Sequence, residues 1–137
     1  MSTDVDELFA AAKAVQAMAH APYSHFRVGA AIRTASGRVF AGCNVENAAY
    51  PQGTCAEAGA ISAMVAAGES EIVAVLTVCD GEAIGTCCGG CRQRIREFAK
   101  GSTPIYAAGP EGVRATFTLE GLLPNSFGPD HLTEFQQ

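Results

Sequence analysis

Apolar positions along the chain recur at two spacings, and these predict helices and strands in a definite order. Helical spacing begins near the amino end and stops before Pro22; the apolar residues that follow it are Leu8, Ala11, Ala12, Val15, Met18 and Ala19. Two β-rich runs, residues 28–34 and 38–45, flank the turn "ASG" and predict a hairpin. A second helix is predicted over residues 55–67, because helix-favouring residues end there at Gly68.

The second half of the chain adds a buried strand and a further helix. Residues 72–79, "IVAVLTVC", form a continuous apolar run of strand length, which predicts a central strand covered on both faces. A third helix is predicted over residues 92–100, followed by strands at 105–108 and 114–119 around the turn "GPEG". With no repeat or linker, residues 1–137 are predicted to form one layered α/β domain in which helices flank a mixed sheet.

Composition narrows the function class. The chain has 137 residues, and 48% of them are hydrophobic, which is enough for a core without disulfides. The formal net charge is −5 with only nine scattered Lys and Arg residues, so we expect a small-molecule partner and no nucleic acid polymer. No apolar run is long enough for a membrane span and no basic stretch opens a signal peptide, which predicts a cytoplasmic protein.

The segment "GTCCGGCRQ", which starts at Gly85, carries three of the six cysteines. In a reducing compartment, the Cys-x-x-Cys spacing of Cys88 and Cys91 favours a metal over a disulfide, with redox use and chance spacing as alternatives. Cys55 and this pair each stand where a predicted helix begins, and helix N-termini support the thiolates that zinc requires. Three protein ligands leave a fourth tetrahedral position for water, which is typical of a catalytic zinc site.

Glu57 is the candidate proton-transfer residue. It follows Cys55 by two residues at the start of the same predicted helix, where its carboxylate could take a proton from a zinc-bound water. Taken alone, an acidic residue at a helix N-terminus is equally well explained by its interaction with the helix dipole.

Longer motifs resemble a known family. "Cys55-Ala56-Glu57" and "Cys88-Gly89-Gly90-Cys91-Arg92-Gln93" resemble the signature of the zinc-dependent nucleoside deaminases. "PYSHFRVGAAI", "GCNVENAAYPQGTCAE" and "LLPNSFGPDHL" look like the small homotetrameric cytidine deaminases, and the resemblance extends over about residues 22–132. It implies a three-layer fold with a five-stranded mixed sheet between helices. It also implies one Zn²⁺ per chain, held by Cys55, Cys88 and Cys91, and hydrolysis of cytidine and 2′-deoxycytidine to the uridines plus ammonia in pyrimidine salvage, with Glu57 as the catalytic residue.

The resemblance also implies which residues bind the nucleoside. Phe26 matches an aromatic residue that packs against the cytosine ring, although a core Phe beside a strand is the plain alternative. Asn44 and Glu46 match a pair that hydrogen-bonds the ribose 3′-hydroxyl, where turn chemistry is the alternative. The backbone of Ala56 matches a contact to the reacting end of the pyrimidine.

Two further aromatic residues match positions that complete a neighbouring subunit's pocket. They are Tyr50 and Phe127, and the resemblance therefore implies a homotetramer with shared sites. For Phe127, a local packing role is the alternative.

The chain departs from the family motif at two positions. Ala58 stands where the family has an arginine that donates hydrogen bonds to the zinc thiolates and offsets the net negative charge. Either the helix N-termini and another donor, such as Arg92, compensate for its loss, or the water on zinc is less acidic. Cys87 replaces a proline and is interpreted as inert, with an exchangeable ligand or a redox-sensitive neighbour as alternatives.

Two other functions share these motifs. One is a deaminase of another aminopyrimidine nucleoside, such as the blasticidin S type. The other is an inactive zinc-binding module, in which Cys87 would close the site as a fourth ligand.

Overall fold

The computed structural model describes residues 3–133 and 135, and these form five helices, five strands and one 3₁₀ turn. The strands are β1 (Val28–Thr34), β2 (Val39–Cys43), β3 (Ile72–Cys79), β4 (Pro104–Gly109) and β5 (Gly112–Thr118). The helices are α1 (Thr3–Gln16), α2 (Ala56–Ala66), α3 (Gly89–Arg96), α4 (Leu119–Leu122) and α5 (Asp130–Thr133). The 3₁₀ turn spans Tyr50–Gln52.

All five strands join one mixed sheet in the order β2-β1-β3-β4-β5. The β3 and β4 strands are parallel, and each other neighbouring pair is antiparallel. The predicted central strand is confirmed, since β3 occupies the middle of the sheet and seven of its eight residues are buried. The predicted five-stranded mixed sheet is confirmed as well.

Helices cover both faces of the sheet. Leu8 and Ala12 of α1 pack on one face against Leu76 and Val78 of β3, together with other small apolar residues. On the opposite face, α2 and α3 pack against alternate strand positions; the buried residues there include Ile32, Met64, Val75, Ile95 and Ile105. This alternation follows from the two-residue period of a strand and produces the predicted three layers.

Some predicted boundaries were wrong. The third helix begins at Gly89 instead of residue 92 and ends at Arg96 instead of residue 100. A glycine pair has low helix propensity, which is why the sequence pattern placed the start too late. The first helix ends at Gln16, so Met18 lies outside it and is 75% exposed. The 3₁₀ turn, α4 and α5 were not predicted, because each is too short to show a period.

The sheet topology brings two helix starts together. Because β2 and β3 are both antiparallel to β1, they run in the same direction and their carboxyl ends share one edge of the sheet. After each strand the chain reaches the start of a helix, α2 after β2 and α3 after β3. The α2 helix lies close on β2, since a Cβ at Gly42 would come within 2.5 Å of the Ala60 nitrogen. No helix among residues 3–133 and 135 has the length and apolar character needed to cross a bilayer.

Candidate metal and active site

Three cysteines from the two helix starts form one cluster. Cys55 is the N-cap of α2, Cys88 is the N-cap of α3, and Cys91 lies in the first turn of α3. Their sulfur atoms all lie within 4.8 Å of one another, and the Sγ atoms of Cys55 and Cys88 are 3.8 Å apart. All three are free thiols. The structure therefore brings together the three residues that the sequence singled out as metal ligands.

The spacing and chemistry of these sulfurs suit zinc. Two sulfur ligands at about 2.3 Å from a tetrahedral zinc ion are separated by about 3.8 Å. That separation is the one found between the Sγ atoms of Cys55 and Cys88. Soft thiolate ligands in a tetrahedral arrangement favour zinc over hard cations such as Mg²⁺. The cluster thus fits a Zn²⁺ ion held by three protein ligands.

Ionisation of all three thiols is unfavourable without a nearby cation. Burial raises the pKa of Cys91, and the neighbouring charges of Glu57, Cys55 and Cys88 raise it further. Burial is also the main cause that raises the pKa of Cys55. Burial opposes ionisation of Cys88 too, but the backbone N–H of Cys91 and the neighbouring thiols outweigh it, so the pKa of Cys88 is lowered. A divalent cation would supply the missing positive charge.

Glu57 is buried beside the cluster. It lies in the first turn of α2 and is only 3% exposed. The hydroxyl of Thr77, on β3, donates a hydrogen bond of 2.8 Å to Glu57 Oε2. A buried carboxylate so close to a metal cluster, with one oxygen held by a donor, is suited to proton transfer.

A cavity of about 260 Å³ opens over these groups. Its lining includes two of the thiols and four other predicted site residues: Cys55, Cys88, Phe26, Asn44, Ala56 and Glu57. A larger cleft, of about 790 Å³, lies elsewhere beside residues 71–73 and 96–104, and none of the predicted site residues lines it. The chemistry therefore belongs to the smaller cavity.

Asn44 shapes one wall of this cavity. Its Oδ1 accepts a hydrogen bond from the backbone N–H of Val28, and its Nδ2 donates one to the backbone oxygen of Phe26. Asn44 thereby holds the segment that carries Phe26, whose side chain is 50% exposed. An exposed ring on a cavity wall can stack on a flat ligand, whereas a core residue could not.

Three predicted substrate residues do not line the cavity. Glu46 is engaged with the loop before β1: its carboxylate accepts hydrogen bonds from the backbone N–H groups of Tyr23 and Ser24 and from the Ser24 hydroxyl. Tyr50 is 75% exposed, with its ring centroid 6.0 Å from that of Tyr23. Phe127 is exposed and stacks on the ring of His131.

The arginine that donates to a thiol of the cluster is Arg94, and not Arg92, which the sequence offered as one possible compensating donor. Arg92 donates instead to the backbone oxygens of Cys87 and Leu122 and to the Thr86 hydroxyl. Arg94 Nη1 donates a hydrogen bond of 3.4 Å to Cys91 Sγ. The phase of α3, set by its earlier start, turns position 94 towards the sulfurs and position 92 away from them.

Cys87 packs in the hydrophobic core. It is 1% exposed among apolar residues of α2, α3 and the sheet, and burial raises the pKa of its thiol to about 11. Within residues 3–133 and 135, the metal-type cluster contains Cys55, Cys88 and Cys91 but not Cys87. This arrangement favours the inert interpretation over a fourth ligand.

Comparison with known families supports the geometry. The sequence model of the family described as "Cytidine and deoxycytidylate deaminase zinc-binding region" matches residues 2–107. The chain belongs to this family. The matched residues span both helix starts described above, and the three-cysteine cluster within them fits the zinc that this family binds.

Individual relatives match over nearly the whole chain. A cytidine deaminase of Sporosarcina psychrophila is 39% identical over 130 residues, which cover 95% of this chain and 96% of the relative. A cytidine deaminase of Mycobacterium tuberculosis is 38% identical and covers 94% of this chain and 95% of its own. The crystal structure of cytidine deaminase from Burkholderia pseudomallei superposes with a TM-score of 0.84 at 38% identity, covering 93% of this chain and all of that one. The chain is therefore similar to complete cytidine deaminases.

Sequence reasoning missed two residues of the site, and each left a signal. Thr77 is the polar exception in the apolar run that became β3, and a lone hydroxyl in a buried strand needs a partner. Arg94 follows Cys91 by three residues, which is the spacing of neighbouring side chains on a helix.

Proposed function

We propose that this chain is a zinc-dependent enzyme that hydrolyses cytidine and 2′-deoxycytidine to uridine and 2′-deoxyuridine with release of ammonia. The observation that carries the proposal is the buried carboxylate of Glu57 in one cavity with a three-cysteine metal cluster. The similarity to cytidine deaminases over the full length of several relatives supports the substrate class.

The chemistry divides between the metal and Glu57. Bound zinc would lower the pKa of a water molecule towards neutrality and so supply the nucleophile at C4 of the pyrimidine. Glu57 would take up the proton released from the water, deliver it to N3 of the ring, and then carry the proton of the new C4 hydroxyl to the amino group, which leaves as ammonia. The Thr77 hydrogen bond occupies Oε2 of Glu57 and leaves Oε1 for this transfer.

Three residues of the cavity wall, Phe26, Asn44 and Ala56, together with Glu46 outside it, would orient the nucleoside. Phe26 packs against the cytosine ring, and the backbone of Ala56, at the start of α2, contacts the reacting end of the base. Asn44 and Glu46 bind the ribose 3′-hydroxyl. Glu46 can accept from a substrate hydroxyl while it holds the Ser24 loop, because a carboxylate has about four acceptor positions. A site built around a substrate hydroxyl rejects the free base strongly.

We also propose a homotetramer in which Tyr50 and Phe127 complete the cavity of a neighbouring subunit. Both side chains are exposed in the single chain, and neither lines the cavity over the cysteine cluster. The protein would act as a single domain over residues 1–137, in the cytoplasm, in pyrimidine salvage.

The deciding experiment compares the zinc-loaded parent with Glu57→Gln by ammonia release from cytidine, 2′-deoxycytidine, cytosine and blasticidin S. We expect turnover of the two nucleosides by the parent and a large loss in Glu57→Gln, which keeps the size and the zinc ligands. Glu71→Gln removes an exposed carboxylate and serves as the matched control with unchanged turnover. An inactive parent that still binds zinc would refute the proposal, and turnover of blasticidin S alone would favour the other deaminase type.

Shared sites can be tested by mixing two inactive variants. Glu57→Gln and Phe127→Ala, unfolded together and reassembled, should regain roughly a quarter of parental activity, because random assembly pairs intact residues from different subunits at that frequency. A mixture as inactive as its components would show that each site is built from one chain.

A further inference from the structure

Arg94 is a cationic side chain in contact with the cysteine cluster. It stands three residues after Cys91 on α3, and its Nη1 atom donates to Cys91 Sγ at 3.4 Å. The guanidinium folds back over the first turn of the helix, where a Cβ at Gly90 would lie 3.4 Å from the same nitrogen. The guanidinium therefore lies over Gly90, in the same turn as the sulfur that it contacts.

The Arg94 guanidinium is directed to a sulfur and not to a carboxylate. Four other arginines pair with acidic side chains in the part of the chain that the structure describes: Arg33, Arg38, Arg96 and Arg114. The recorded side-chain hydrogen bond of Arg94 goes to Cys91 instead. A cation whose partner is a metal-site thiol points to a function at the metal.

The charge balance of the cluster explains why a cation is needed there. Three thiolates and one Zn²⁺ sum to a net charge of −1 in a site whose innermost sulfur, that of Cys91, is fully buried. A guanidinium in contact with that sulfur brings the sum over the zinc, its three thiolates and the arginine to zero. An empty cluster of neutral thiols carries no such excess, so the arginine stabilises the filled site more than the empty one.

We propose that Arg94 is the positioning residue that neutralises the three-cysteine zinc site, supplied from α3 because position 58 on α2 is alanine. The two positions have the same sequence separation from a predicted ligand: Arg94 follows Cys91 by three residues, and Ala58 follows Cys55 by three. The role rests on zinc as the cofactor of the proposed function, but its primary measurement is zinc affinity, which does not depend on turnover.

The test measures zinc affinity by competition with a chromogenic chelator for four proteins. Arg94→Gln should bind zinc about 10 to 100 times more weakly than the parent, the range expected when a partner of a metal ligand is removed. Arg38→Gln removes the same charge from a residue paired with Glu69 and should bind like the parent. Adding Ala58→Arg to Arg94→Gln should restore most of the affinity, which a purely structural role for Arg94 would not predict.

Several outcomes would overturn the proposal. A folded Arg94→Gln variant whose zinc affinity matches the parent within about twofold removes the role outright. If Arg94→Gln does not fold, Arg94→Lys takes its place: it keeps the charge and should hold zinc nearly as tightly, and a folded lysine variant with much weaker binding refutes the charge argument. If Arg94→Gln binds zinc more weakly but the zinc-loaded parent does not turn over cytidine, the role of Arg94 is supported and the proposed activity is refuted.

Discussion

Replacing Thr77 with valine removes one buried hydroxyl from β3 and keeps the β-branched shape of the side chain. The hydroxyl donates a hydrogen bond of 2.8 Å to Oε2 of Glu57, and both residues are only 3% exposed. Without the donor, the carboxylate is free to rotate away from the position that its proton transfers require. The change therefore tests whether Thr77 orients Glu57 for catalysis.

The size of the effect follows from the energy of the bond. A hydrogen bond to a charged group contributes about 1.5–3 kcal/mol, and about 1.4 kcal/mol corresponds to a factor of ten in population. Losing this restraint would lower the productive fraction of Glu57 by about 10- to 150-fold, and we expect kcat to fall by about the same factor. KM should change little, because the Thr77 hydroxyl is directed to Glu57. The free energy of unfolding should drop by about 1–3 kcal/mol, since an oxygen is left buried without its donor.

The assay is steady-state turnover of cytidine at saturating zinc, with kcat and KM measured separately. Thr77→Ser keeps the hydroxyl and should recover most of the lost kcat. Thr34→Val is the matched control: Thr34 is a buried threonine on β1 that bonds Ser36 and the Arg38 backbone, so its loss should cost stability and leave kcat unchanged. A kcat for Thr77→Val within about twofold of the parent, with zinc bound, would refute the positioning role.

Three further outcomes are expected. The Ser24 hydroxyl and nearby N–H groups lower the pKa of Glu46 from 4.5. The ionised carboxylate therefore stabilises the fold above about pH 4.5, and this stabilisation is lost as the pH falls. In urea unfolding between about pH 3 and 7, Glu46→Gln should show a weaker pH dependence than the parent. Gly42→Ala should lower the free energy of unfolding by about 1–3 kcal/mol, because the added Cβ would lie 2.5 Å from the Ala60 nitrogen. Removing zinc with a chelator should lower the unfolding temperature. Free zinc at about 100 times its Kd should raise the free energy of unfolding by about 2.7 kcal/mol.

The sequence predicted best where one strong signal acts alone. The bounds of β1 and β3 agree with residues 28–34 and 72–79, because both runs are apolar and β-rich. The cysteine cluster was predictable because metal ligands depend on residue type and spacing. Which arginine meets the thiols was not, since that depends on the phase of α3. A start at residue 92 would leave Cys91 outside the helix, whereas the real start at Gly89 places Cys91 and Arg94 one turn apart.

The site also divides into two parts with different physical support. Glu57, Thr77 and Cys91 are buried, and helix starts or the central strand fix them within one chain. Tyr50 and Phe127 are exposed, and neither lines the cavity over the metal cluster. The three cysteines belong to one chain, so zinc binding needs no neighbour, whereas in the proposed homotetramer the two exposed aromatic residues would enclose a nucleoside bound to a neighbouring subunit. Substitutions that separate the subunits of the proposed homotetramer should therefore leave zinc affinity unchanged and raise KM for cytidine.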